Sequence, residues 1–68
     1  MERTITMHEL RTRRVALGLS QAKLAERLGV DTMTVSRWER GVRSIPTYIA
    51  LALEAIEMRE VQRRVEAA

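Results

Sequence analysis

The sequence predicts an all-α protein, a compact bundle of four to five helices that ends in a long C-terminal helix. Three short segments of helical apolar period each begin after a Thr, Ser or Asp that suits a helix N-cap, and each ends at a glycine. After the one proline, Pro46, a helical apolar pattern runs to the C-terminus without another helix breaker. A chain of 68 residues is the size of one small domain, so we expect residues 1–68 to fold as a unit.

The first helix is expected to begin near Met7 and to end near Leu17. Thr6, with Glu9 three residues later, has the form of a capping box, which satisfies free backbone N–H groups at a helix start. Gly18 suits the left-handed position that closes a helix.

Two further helices follow the same plan within residues 20–41. Ser20 suits the N-cap of the second helix and Asp31 that of the third. Gly29 and Gly41 suit their C-terminal ends. Apolar pairs flank the three N-caps and suit hydrophobic staples: Ile5 with Leu10, Leu19 with Leu24, and Val30 with Val35.

The second and third helices have the spacing of a helix-turn-helix, with its core at residues 20–41. Leu24 and Ala25 fall on one face of the second helix, and the small Ala25 permits close approach. Val35 and Trp38 fall on one face of the third helix, so Trp38 is expected in the core rather than stacked on a base. In this motif the second helix of the pair can enter the major groove of DNA.

The fourth helix is expected from about Pro46 and carries two apolar stripes. The stripe that should complete the core is Ile45, Ile49, Ala52, Leu53 and Ile56. The second stripe is Leu51, Ala55, Met58, Val61 and Val65. A helix with two apolar faces needs two partners, and we expect the second stripe to form a homodimer interface. The alternative is that an N-terminal arm, residues 1–6, folds over it; residues 3–6 favour β structure and suit either a strand or a flexible arm.

The composition excludes several classes of protein. The chain has no cysteine and one histidine, His8, so a disulfide framework, a thiolate metal site and a multi-histidine metal site are all excluded. No apolar run is long enough to span a membrane and no signal peptide is visible, so we expect a soluble, cytoplasmic protein. A core of this size is marginal alone, which favours oligomerisation.

The positive charge is concentrated in the N-terminal two-thirds of the chain. Residues 1–45 hold nine Lys and Arg and five Asp and Glu, whereas residues 46–68 hold three and four. The basic excess therefore lies with the helix-turn-helix, which suits a polyanionic partner such as nucleic acid. The alternative is that these positive charges form an ordinary solvated surface and bind no nucleic acid.

Four segments between residues 11 and 56 resemble the phage repressor/Cro-like (XRE-type) helix-turn-helix domain. They are Arg-x-x-Arg at 11–14, Gly-Leu-Ser-Gln at 18–21, Leu-Ala-Glu-Arg-Leu-Gly-Val at 24–30, and Val-Ser-Arg-Trp-Glu-Arg-Gly at 35–41. The resemblance implies a bundle of four or five helices that binds double-stranded operator DNA as a dimer. The run Pro-x-Tyr-x-x-x-Ala-Leu at 46–53 is similar to small repressors encoded beside anti-CRISPR genes, which suggests a phage or mobile-element regulator.

The resemblance also implies roles for individual residues. Base edges would be met by Thr32, Met33 and Arg37. The resemblance implies phosphate contacts for Gln21 and Tyr48. Residue type and position suggest further phosphate contacts for Thr34, Ser36, Arg40, Arg43 and Thr47. Gln21 would also brace the recognition helix.

Several of these assignments have an alternative. Arg37 could bind a phosphate instead of a guanine edge, and Met33 could face the neighbouring loop instead of a thymine methyl group. The hydroxyl groups of Thr34 and Ser36 could bond locally to the helix. Tyr48 could be partly buried against the second apolar stripe.

A structural ion pair is expected between Arg14 and Glu39. Glu39 resembles a family acid that pairs with an arginine of the first helix, which here would be Arg14. Arg14 lies among apolar positions, where a charge needs an opposite charge. The chain offers no nucleophile–base pair, metal cluster or phosphate-cradling glycine loop, so we expect neither an enzyme nor a cofactor.

The leading hypothesis is therefore a sequence-specific transcriptional regulator. We expect it to act as a homodimeric autorepressor that binds an inverted repeat and needs no small-molecule ligand. One alternative is the antitoxin of a toxin–antitoxin pair, although at most about ten residues follow the bundle and could hold a toxin. The other is a protein-interaction module that has lost DNA binding, against which the basic recognition surface argues.

Overall fold

The computed structural model describes residues 4–67, and within that range the chain forms four α-helices and no β-strand. They are α1 (Met7–Ala16), α2 (Gln21–Leu28), α3 (Thr32–Glu39) and α4 (Tyr48–Ala67). The predicted all-α fold with a long C-terminal helix is confirmed, with four helices rather than five in the described part.

The three predicted N-caps are present. Their side-chain oxygens each accept the backbone N–H three residues later: Thr6 from Glu9 at 3.0 Å, Ser20 from Lys23 at 3.0 Å, and Asp31 from Thr34 at 2.8 Å. Each bond satisfies one of the N–H groups that a helix start leaves without a partner. The caps therefore set where α1, α2 and α3 begin.

A glycine of positive φ follows or ends each of the first three helices. At Gly41, beyond α3, φ is +72° and an added Cβ would lie 2.7 Å from the sulfur of Met7. The chain therefore requires glycine here both for its backbone conformation and for the close approach of α1.

The helices pack around one apolar core. α2 packs against α3 and α4, and α1 packs against α3. The buried apolar side chains are Ile5, Leu10, Leu24, Ala25, Val35, Trp38, Ile45, Ile49, Ala50, Leu53 and Ile56. Four of the five residues predicted for the core stripe of the fourth helix are among them.

The start and the phase of α4 differ slightly from the prediction. Pro46 precedes the helix, because its carbonyl accepts the N–H of Ile49 at 3.1 Å in a tighter turn before regular α-helical bonding begins. Ala52 is only half-buried, whereas Ala50, which was not predicted in the core, is buried. Ala50 and Ala52 lie on either side of the core stripe of α4, and the rest of the domain covers Ala50 more completely.

The described part of the N-terminal segment packs into the core. Residues 4–6 form no strand, and Ile5 is buried in the core cluster. The second stripe of α4 stays exposed, so residues 4–6 do not cover it as the alternative had it. Residues 1–3 lie outside the described residues.

Over residues 4–67, no helix has the length and apolar character needed to cross a membrane. The same residues include no group of three or more His, Cys, Asp or Glu placed to hold a metal ion.

Candidate nucleic-acid interface

Two buried side chains fix the rotation of α3. Val35 and Trp38 are 0% and 2% exposed, so this face of the helix is held against the core and Trp38 cannot stack on a base. Successive residues of an α-helix are about 100° apart, so Met33 and Arg37 lie on the opposite side, about 40° from each other. Both are exposed. Packing therefore presents to solvent the face of α3 that carries Met33 and Arg37.

The residues predicted to read bases lie on that exposed face. Thr32 and Met33 form the first turn of α3, and Arg37 follows one turn later. All three are exposed. Asp31 caps the same end of the helix, so the first turn is anchored by a side chain that precedes it. The three residues can therefore reach a ligand together from a rigid helix.

Unpaired positive charge accumulates where α3 ends. Within the described residues, Arg37, Arg40 and Arg43 are exposed and no carboxylate forms an ion pair with them. The N–H groups of Val42 and Arg43 both donate to the carbonyl of Arg37, at 3.0 and 3.3 Å. These two bonds hold the loop against the last turn of α3, so the three guanidinium groups belong to one rigid surface.

The charge of this surface acts on the N-cap of α3. The pKa of Asp31 is lowered, first because Thr34 donates both its backbone N–H and its hydroxyl to the carboxylate. The positive charges of Arg37 and Arg43 lower the pKa of Asp31 further. The carboxylate therefore remains ionised at neutral pH and keeps capping the helix.

The two hydroxyl residues of α3 are less available than the basic residues. The Thr34 hydroxyl donates to Asp31 Oδ1 at 2.8 Å, a local bond to the N-cap side chain and not to the backbone of the helix. To donate to a phosphate, Thr34 would have to give up this bond. Ser36 is half-buried beside the core face.

The Arg14–Glu39 ion pair is present in the structure. Arg14 Nε lies 2.7 Å from Glu39 Oε2, and Arg14 Nη2 lies 3.0 Å from Glu39 Oε1, so the guanidinium binds the carboxylate in a bidentate manner. The side chains are 13% and 4% exposed. Arg14 Nη1 also donates to the carbonyl of Leu19 at 2.9 Å. The pair therefore joins α1 and the α1–α2 loop to the end of α3.

Gln21 completes this network at the start of α2. Its Nε2 donates to Glu39 Oε1 at 3.1 Å, so the amide is oriented by the same carboxylate that Arg14 binds. One N–H of an amide group is used in this bond, and a second remains available to another acceptor. Gln21 thus braces α3, as the resemblance implied, and retains a donor.

The surroundings of Glu39 keep its carboxylate ionised. Burial has the largest single effect and raises the pKa of Glu39, but the hydrogen bonds from Arg14 and Gln21 and the nearby positive charges outweigh it. The net pKa of Glu39 is lower than its usual value.

Thr47 and Tyr48 lie at the start of α4. Both are exposed, and Tyr48 keeps 55% of its surface accessible. Both were predicted to contact phosphate, Tyr48 from the resemblance and Thr47 from its place at the start of the helix, and their exposure is compatible with such contacts.

One ion-pair network was not predicted from the sequence. Arg13 Nε donates to Glu57 Oε2 at 2.9 Å, a second nitrogen of Arg13 bonds the other oxygen of Glu57, and Arg13 Nη1 lies 3.2 Å from Glu9 Oε2. The hydrogen bond that Arg13 donates to Glu57 is the main reason that the pKa of Arg13 is raised. The i, i+4 spacing of Glu9 and Arg13 was the only available sequence signal; the contact with α4 had none.

Two exposed apolar features also bear on function. Val42, in the loop that follows α3, is exposed beside the basic residues. The second stripe of α4, Leu51, Ala55, Met58, Val61 and Val65, is exposed along its whole length. α4 continues for eleven residues beyond Ile56, the last one that is buried.

The sequence matches the model of a known family. A helix-turn-helix family model matches residues 10–56, just over two-thirds of the chain, and includes α2, the turn and α3. No curated protein and no solved structure gives a significant match. The chain belongs to the XRE-type (Cro/C1-like) helix-turn-helix family, a family of DNA-binding transcription regulators and not of enzymes.

Proposed function

We propose that this protein is a sequence-specific repressor that binds an inverted-repeat operator as a homodimer, with α3 in the major groove. The observation that supports this most directly is the exposed face of α3, where Arg37 forms no ion pair with a carboxylate of the described residues. The opposite face is fixed in the core by Val35 and Trp38. A helix held in this way presents side chains to base edges without reorganisation.

Arg37 supplies most of the sequence preference in this proposal. Its guanidinium can donate two hydrogen bonds to O6 and N7 of a guanine, a pairing worth about 1–3 kcal/mol of discrimination. Thr32 and Met33 contact other base pairs of the same half-site from the first turn of the helix.

The remaining basic and polar residues position the protein on the phosphate backbone. Arg40 and Arg43 flank the end of α3 and bind phosphates where the chain leaves the groove. Gln21 uses the amide N–H that Glu39 does not occupy. Such contacts provide affinity that depends strongly on salt, because binding releases counterions from DNA. Thr47, Tyr48, Ser36 and Thr34 are the further candidates, Thr34 only if its bond to Asp31 breaks.

The second stripe of α4 forms the dimer interface. Leu51, Met58, Val61 and Val65 are between 56% and 70% exposed. The stripe extends along the part of α4 that has no buried residue, and an isolated helix of that length is marginal in water without a packing partner. A second copy supplies an identical apolar stripe, and a two-fold dimer carries two copies of α3 to two half-sites about one DNA turn apart.

Binding to the DNA upstream of the protein's own gene tests the proposal. Fluorescence anisotropy is measured with this DNA and with random DNA of equal length, over a series of salt concentrations. We expect the upstream DNA to bind on the order of 10³-fold more tightly than random DNA, with affinity that falls steeply as salt rises. A footprint then gives the half-site spacing.

Two results count against the proposal. Equal binding of both DNAs contradicts sequence-specific autoregulation. Absence of binding to either DNA at low salt contradicts the whole DNA-binding account, and the basic surface then needs another partner.

A further inference from the structure

We infer that Met33 reads the C5 methyl group of a thymine, about two base pairs from the guanine that Arg37 contacts. The inference rests on the proposed function and names one feature of the DNA sequence that this particular chain selects.

Met33 is placed differently from every other exposed large apolar residue in the described part of the chain. The others lie on α1, on the loop after α3 or on α4; Met33 alone lies on α3, with 53% of its surface exposed. About half of its surface is therefore open to a contact outside the domain. In the proposed complex this apolar side chain lies on the helix face that meets DNA, where contact with an apolar surface would stabilise it.

Only one such surface exists in the major groove. The edges of adenine, guanine and cytosine present hydrogen-bond donors and acceptors there, and thymine adds a methyl group. The methionine side chain has no hydrogen-bond donor and only a weak acceptor, so polar edges give it little. Its flexible, polarisable thioether suits contact with a small methyl group.

The position of Arg37 sets where that thymine lies. Met33 and Arg37 are four residues apart, which corresponds to about 6 Å along the helix axis and about 40° around it. Stacked base pairs are about 3.4 Å apart. A recognition helix that lies along the groove therefore places the two side chains about two base pairs from each other.

Replacement of thymine by deoxyuridine removes the methyl group and nothing else. The operator is first selected from duplexes with a randomised central region, and each thymine is then replaced singly by deoxyuridine. We expect one thymine in each half-site, about two base pairs from an essential guanine, to lose affinity by about fourfold when replaced, the value for burial of one methyl group.

Two variants assign that loss to Met33. Met33→Ala should bind the unmodified operator more weakly and should show no further loss with deoxyuridine at that position. Val15→Ala removes a comparably exposed apolar side chain from α1 and should keep the fourfold deoxyuridine effect.

The outcomes separate this inference from the proposed function. If no thymine is sensitive, or if Met33→Ala retains the same sensitivity, the inference is wrong; continued dependence of the selected site on Arg37 then leaves the proposed function intact. If the selection enriches no sequence, both are wrong.

Discussion

At the scale of single residues, the Glu39 carboxylate is the polar group that joins α1 and α2 to the end of α3. It accepts hydrogen bonds from Arg14 and Gln21 and is 4% exposed. A buried carboxylate is tolerated only when it is paired and hydrogen-bonded. The Arg14–Glu39 pair could be predicted because the resemblance and the apolar surroundings of Arg14 agreed. The bond to Gln21 was not specified by the sequence, because it depends on how closely α2 approaches the end of α3.

We predict that Glu39→Gln lowers the free energy of unfolding by about 3 kcal/mol, since it leaves the mostly buried guanidinium of Arg14 without its counter-charge. The control is Arg63→Gln, which removes an ion pair with Glu60 from a side chain that is 72% exposed. The control should change stability by less than about 0.5 kcal/mol. Urea denaturation followed by the fluorescence of Trp38 measures both. Equal effects of the two variants would show that the buried pair has no special role.

The unsubstituted protein and Glu39→Gln also give a prediction about the pH dependence of stability. Because the pKa of Glu39 is lowered on folding, its ionised form stabilises the fold above the usual value of 4.5, and this contribution is lost as pH falls through the lowered pKa. The difference in stability between the unsubstituted protein and Glu39→Gln should therefore shrink as pH is reduced below about 4.5. A difference that stays constant with pH would contradict this assignment.

At the scale of the helices, boundaries were predictable wherever a local signal sets them. The caps at Thr6, Ser20 and Asp31 act within three residues of themselves, so the sequence contains the whole interaction. The start of α4 has no such cap, and it was placed two residues too early because Pro46 is compatible with both the first turn and the residue before it. The link from Arg13 to Glu57 spans 44 residues and depends on how α1 and α4 pack.

Gly41 and Gly18 allow backbone strain and side-chain crowding to be measured separately. Both have φ of +72°, but an added Cβ meets the Met7 sulfur at 2.7 Å at Gly41 and nothing within 4 Å at Gly18. We predict that Gly18→Ala costs about 1 kcal/mol and that Gly41→Ala costs up to about 1 kcal/mol more, the cost of moving Met7 from its rotamer. Thermal unfolding measures both. If Gly18→Ala proves the more harmful, α1 does not approach the loop after α3 this closely.

At the scale of the whole molecule, the fold of residues 4–67 leaves the second stripe of α4 uncovered. The sequence predicted both the second stripe of α4 and its two possible partners, and the described part of the N-terminal segment packs into the core instead. Which chain covers the stripe depends on contacts between molecules, so neither the sequence pattern nor a single chain specifies it. The orientation of the two copies of α3 in a dimer depends on the same contacts.

Met58→Asp should convert the proposed dimer into a monomer, because it places a charge at the centre of the apolar stripe. Sedimentation should give twice the chain mass of 7.8 kDa for the unsubstituted protein and the single chain mass for the variant. Arg59→Asp, one residue later and outside the stripe, should remain dimeric. A monomer for the unsubstituted protein at micromolar concentration would contradict the proposed interface.

The central claim is that α3 reads DNA sequence through Arg37, and one comparison tests it most directly. The ratio of affinities for upstream and random DNA is measured for Arg37→Ala and for Arg59→Ala, which removes the same charge from an exposed position on α4. We predict that Arg37→Ala lowers this ratio by tenfold or more, as expected for the loss of a guanine contact in each half-site, and that Arg59→Ala leaves the ratio unchanged. An equal, uniform loss of affinity for both DNAs in the two variants would show that Arg37 contributes only charge, and would contradict the account.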